Sequence, residues 1–78
     1  MPTTQDIIKA IAEHLGLSPE DLDRNALLQE ELNLGPIELN DLLQNISQKF
    51  GVSFQSEDIE NMKKVEDLVS SVEDNLLD

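Results

Sequence analysis

The stretch Gly35-Pro36-Ile37-Glu38-Leu39-Asn40-Asp41-Leu42-Leu43-Gln44-Asn45-Ile46-Ser47-Gln48-Lys49-Phe50-Gly51 decides the fold. Its apolar residues Leu39, Leu42, Leu43, Ile46 and Phe50 recur at helical intervals and line one face. Glu38, Asp41, Asn45, Gln48 and Lys49 line the other. Pro36 suits a first helical position, where its missing N–H would have had no partner. Glu38 falls near the free amides of that first turn. Gly51 is placed to end the helix in the left-handed conformation that glycine accepts.

Working outward toward the C-terminus, Val52-Ser53-Phe54 is too short for a useful strand. It reads as an extended link that drops two apolar side chains into the core. Ser56-Glu57-Asp58-Ile59 predicts a short helix with a capping serine and early acids. A last helix is expected from about Lys64 to Leu76, with Val65, Leu68, Val69, Val72 and Leu76 inward. Its start is poorly marked, because Lys63 and Lys64 stand where acids are favoured.

Working toward the N-terminus, Leu17 to Asn33 is a long link. Ser18-Pro19-Glu20-Asp21 predicts one capped turn, and Asn25 a second that carries Ala26, Leu27 and Leu28. A structureless connection of this length would count against the assignment. Leu22, Leu28 and Leu32 answer that by pinning the link to the helices. Ahead of it, Ile7, Ile8, Ile11, Ala12 and Leu15 predict a first helix from Thr3 or Thr4 to Leu15. Thr3 and Asp6 have capping-box spacing, and Gly16 supplies the stop. The expected fold is all-α: a single domain over residues 1–78, a small four-helix bundle of three long helices and one short.

The charge narrows the partners. Seventeen acids against five bases give a formal net charge of -12. Such a surface repels nucleic acid and anionic lipid, and attracts basic patches on proteins. The apolar runs are too short to span a membrane. The first residues lack the basic start and apolar stretch of a secretory signal, so the chain is expected in the cytoplasm. There is no cysteine, hence no disulfide and no thiolate metal site. Phosphate loops, zinc motifs and serine elbows are absent, and no nucleophile–base pair is visible, so the chain is not expected to be an enzyme. The lone His14 reads as a surface or helix-capping residue at the end of the first helix. Two acid clusters, Glu20-Asp21-Asp23 and Glu57-Asp58-Glu60, lack calcium-loop spacing and read as solvated faces. No metal site is expected.

The segment Leu27-Leu28-Gln29-Glu30-Glu31-Leu32-Asn33-Leu34-Gly35-Pro36-Ile37-Glu38-Leu39 resembles the signature of the acyl carrier protein family. Its usual form is an aromatic or leucine, an acidic pair, Leu-Gly, a variable residue, then Asp-Ser-Leu-Asp. Leu28, the pair Glu30-Glu31 and Leu32 match, and Ile37 and Glu38 replace the last two positions conservatively. Asn33 stands for the glycine, Gly35 for the aspartate and Pro36 for the serine. Leu15-Gly16-Leu17 and Phe50-Gly51-Val52 resemble the family's ends of its first and second helices, so the likeness runs along nearly the whole chain.

In that family the serine carries 4'-phosphopantetheine, whose thiol holds acyl groups for delivery to partner enzymes. The resemblance therefore implies a carrier-like protein without the attachment serine, and no cofactor is expected on Pro36. Three departures together fit a divergent member better than one altered residue. The leading expectation is a non-carrying interaction or regulatory module that docks on a biosynthetic enzyme. The alternative is a genuine acyl or peptidyl carrier of fatty-acid, polyketide or related biosynthesis, with a noncanonical attachment site or an altered residue. Family helices dock by the start of the second helix, which here implies Ile37, Glu38 and Asp41 meeting a partner's basic patch. A monomer is expected.

Overall fold

A computed structural model describes residues 2–76. Helix α1 spans Thr4–Leu15, α2 Pro36–Phe50, α3 Ser56–Glu60 and α4 Val65–Leu76, with one 3-10 turn at Pro19–Asp21. Among the described residues there is no strand, only an isolated antiparallel bridge between Leu27 and Lys64. The expected four-helix, all-α fold is the one observed.

The helix ends follow their local chemistry. Thr3 caps α1, its hydroxyl accepting from the Asp6 amide at 3.2 Å while the Asp6 carboxylate accepts from the Thr3 amide at 2.9 Å. These bonds hold the Asp6 carboxyl below its ordinary value, the backbone bond from Thr3 first and its hydroxyl next. Gly16 and Gly51 close α1 and α2 with φ of 73° and 67°. The expected caps at Ser18 and Ser56 do not form. Ser18 makes no side-chain bond to its turn. Ser56 is already the first residue of α3, and Gln55 holds the cap position, its amide donating to Asp58 at 3.1 Å.

The start of α4 is better marked than its lysines suggest. Asp67 Oδ2 accepts from the backbone amides of Lys63 and Lys64, at 2.9 and 3.0 Å. One carboxylate thus satisfies two amides that helix geometry leaves open. The bond from the Lys64 amide, then that from Lys63, lowers the Asp67 carboxyl from its usual range.

Ile7 and Ile11 of α1, Leu42 and Ile46 of α2, and Val65, Leu68, Val69 and Val72 of α4 are buried together. Leu39 and Leu43 join them, and no polar or charged residue is buried among those described. Phe50 departs from its expected place in the core. It is half-buried at the end of α2 and packs on the cluster from its edge.

The link before α2 is held by backbone bonds that periodicity does not show. The expected turn at Asn25 forms, with Ala26 N donating to Asp23 O at 3.1 Å, but it does not carry on through Leu27: that residue lies on the bridge to Lys64 and opens a further turn, its carbonyl accepting from Glu31 and Leu32. Leu28 N donates to Lys63 O at 2.9 Å, Val65 N to Ala26 O at 3.0 Å, and Glu66 N to Arg24 O at 2.8 Å. The link is thereby laced to the start of α4. Leu22, Ala26, Leu28 and Leu34 turn inward from it, and Leu32 is half-buried.

Candidate docking face at the start of helix α2

Helix α2 begins at Pro36, with Gly35 as its cap at φ -73° and ψ 178°. This is extended backbone that any residue adopts. Gly35 offers no capping side chain, and the Glu38 carboxylate folds back over it. A Cβ added at Gly35 would lie 3.1 Å from Glu38 Oε1. The turn before it puts Asn33 at φ 57°. Asparagine is among the few residues other than glycine that tolerate this left-handed region. At Asn33 the departure from the family glycine therefore keeps the backbone shape.

The burial of Leu39, Leu42 and Leu43 fixes which way α2 faces. It sends Ile37, Glu38 and Asp41 outward together, and Ile37 is 80% exposed. An isoleucine that open is not held by the preceding loop. Glu30, Glu31 and Pro36 are exposed nearby in the chain. The expected docking residues thus form an apolar point among acids. Asp41 has a neighbour that periodicity does not reveal: His14 Nε2 of α1 lies 3.4 Å from its Oδ2. A second cross-helix pair, Glu13 with Lys49 at 3.7 Å, lies beside it in sequence. His14 therefore reaches across to α2 as well as sitting at the end of α1.

Beside Pro36 a cleft of about 320 Å³ opens between α2 and α3. Pro36, Leu39, Ile59 and Met62 supply apolar walls, and Glu30 and Lys63 are among its polar lining. Among the described residues, no group of three His, Cys, Asp or Glu side chains could hold a metal ion, and no helix is long and apolar enough to cross a membrane.

A family model described as "phosphopantetheine attachment site" matches residues 5–72. The chain belongs to this family of carrier domains. It is similar to the acyl carrier protein of Chlamydia trachomatis serovar L2, with 27% identity covering 96% of this chain and 97% of that one. It is 27% identical to that of Zymomonas mobilis subsp. mobilis, covering 94% of each chain. To that of Exiguobacterium sibiricum it is 29% identical, covering 87% of this chain and 86% of the relative. These end-to-end likenesses support a carrier-type function.

The group named by the family model needs a side-chain oxygen to hold its phosphate. The start of α2 does not fit that need. Pro36 has a saturated ring, and between Ser18 and Ser47 the chain has no serine, threonine, tyrosine or cysteine. Ser47 is three turns into α2 and donates its hydroxyl proton to the Val52 carbonyl.

Proposed function

We propose that this chain serves an acyl-carrier system, and that enzymes which read acyl carriers recognise it through Ile37, Glu38 and Asp41. The observation that carries the reading is the exposed Ile37 among acids on the first turns of α2, in a chain matched from residue 5 to 72 by a carrier-domain model. Charge favours a partner surface of Lys and Arg around an apolar pocket. The partner class is an enzyme of fatty-acid, polyketide or related biosynthesis, because the curated relatives are acyl carrier proteins. The chain's part is to be bound and presented; it brings no catalytic group of its own.

The comparisons favour a genuine carrier over the non-carrying module that Pro36 first suggests. In the carrier reading the arm hangs from a hydroxyl other than residue 36. Ser56 is the best placed, exposed on the first residue of α3. A specific observation favours the second reading, docking without carrying: the resemblance puts the family's attachment position at Pro36, and no hydroxyl or thiol side chain occurs between Ser18 and Ser47.

Intact mass after incubation with a phosphopantetheinyl transferase and coenzyme A separates the two. A stoichiometric gain of one phosphopantetheine, mapped to a serine or threonine, makes the chain a carrier. An unchanged mass in a chain that still binds the transferase makes it a docking protein. An unchanged mass together with no binding to transferase or condensing enzyme removes the proposal in both forms.

A further inference from the structure

His14 is the one histidine of the chain, and its place bears on the docking face. Its side chain is 23% exposed, while that of Asp41 is 72% exposed. The imidazole is thus held in the seam between α1 and α2, and the carboxylate it meets is free to solvent and to a partner. At 3.4 Å the pair is an ion pair when the imidazole is protonated and a weak polar contact when it is not. Imidazoles are the side chains that ordinarily change charge between about pH 5 and 8.

The other charged groups around α1 do not take over this contact. The elements packed on α1 are α2, α4 and the 3-10 turn. Helix α2 carries Glu38, Asp41 and Lys49; α4 carries Glu66, Asp67, Glu73 and Asp74; the turn carries Glu20 and Asp21. Among the described residues, only Asp41 pairs with His14. Lys49 pairs with Glu13, Glu66 with Arg24, Glu73 accepts from Thr4, and Asp67 caps α4.

We propose that His14 governs how much negative charge Asp41 offers a docking partner, so that docking weakens as the imidazole takes up a proton. The inference rests on the docking reading above and adds its regulation. A protonated His14 already neutralises Asp41, and a partner's lysine or arginine must then compete for the same oxygen. A neutral His14 leaves Asp41 to the partner. Because the pair is at the surface, the effect is modest: about two- to fivefold in affinity, the range of an exposed ion pair.

The experiment uses the free chain and octalysine as the basic probe. First, the carboxyl carbon NMR signal of Asp41 is followed between about pH 8 and 5, where imidazoles titrate. It should show a step in the wild type that is missing in His14→Gln. A flat Asp41 signal overturns the inference. Second, octalysine affinity relative to Glu38→Lys is measured across the same range. Wild type should lose about two- to fivefold more affinity than His14→Gln on acidification. Asp41→Asn, at an exposed position that does not threaten folding, should remove that difference. An NMR step without the difference in affinity also overturns the inference. The docking reading is judged separately: it fails if charge reversal at Glu38 leaves binding to a transferase or condensing enzyme unchanged, whatever His14 does.

Discussion

At the scale of single residues, Asn33, Gly35 and Pro36, which the resemblance sets against the family's glycine, aspartate and serine, differ in what they alter. Asn33 holds φ 57° in place of the family glycine, so it alters identity and keeps conformation. Asn33→Gly should be neutral or slightly stabilising, whereas Asn33→Ala should cost about 1–2 kcal/mol, the penalty of a Cβ residue in the left-handed region. Urea unfolding of the two variants checks this; equal loss in both would show that the turn relaxes. Gly35 and Pro36 change chemistry and keep the helix start. Pro36→Ser restores a hydroxyl at the first helical position, but without the acid that precedes it in the family. Gly35 has ordinary extended angles, and the only tight contact of an added Cβ is the flexible end of Glu38. The double variant Gly35→Asp, Pro36→Ser should therefore fold and be labelled by a phosphopantetheinyl transferase more efficiently than Pro36→Ser alone. Equal labelling would remove any role for residue 35.

At the scale of elements, the helical spacings of α1, α2 and α4 were legible because each long helix buries a continuous apolar face. The helix start at Pro36 and the glycine stops were legible because they are local. Contacts set by tertiary approach were not. Periodicity cannot show Asp67 reaching back to two lysine amides, the Leu27–Lys64 bridge, or His14 meeting Asp41. Of the docking face, the outward direction of Glu38 and Asp41 could be read from the spacing of Leu39, Leu42 and Leu43, whereas that of Ile37 rested on the family resemblance until its exposure was seen. The imidazole beside Asp41 could not. Phe50 shows the limit of pattern reading at a helix end, where the last apolar residue can lie past the edge of its neighbours. Phe50→Ala should consequently cost less than the roughly 3–5 kcal/mol of a fully buried phenylalanine, while Leu68→Ala, at 0% exposure, should cost about 2–5 kcal/mol. Thermal or urea unfolding ranks them, and a larger loss at Phe50 would contradict its placement at the edge. Asp67→Ala should destabilise by about 1 kcal/mol, as loss of a helix cap does. Asp67 and Asp6 both have folded-state values below the ordinary 3.8. Their contribution is present above the unfolded carboxyl value and is lost as pH falls through the folded one. Stability should therefore drop below about pH 4, and Asp67→Asn should flatten that drop. An unchanged acid limb in Asp67→Asn would show that the cap does not form in solution.

At the scale of the whole molecule, a net charge of -12 works in two directions. It strains the folded chain by self-repulsion, and it speeds encounter with basic surfaces. Added salt should stabilise the isolated chain and weaken its docking, and the opposite pairing would mean that the acids take no part in recognition. The bundle resolves the tension by burying an uncharged core and leaving its carboxylates in water. Helix α2 then projects one bare isoleucine through that acidic surface. Whether or not a hydroxyl elsewhere takes the arm, the central claim is that this face engages the enzymes of an acyl-carrier system. Competition tests it most directly: the chain is titrated into a phosphopantetheinyl transferase acting on an ordinary acyl carrier protein. The account predicts that the wild-type chain inhibits labelling of that protein, less so at high salt, and that Ile37→Asp with Glu38→Lys and Asp41→Lys abolishes the inhibition. Failure of the wild type to compete, or equal competition by the charge-reversed variant, would contradict it.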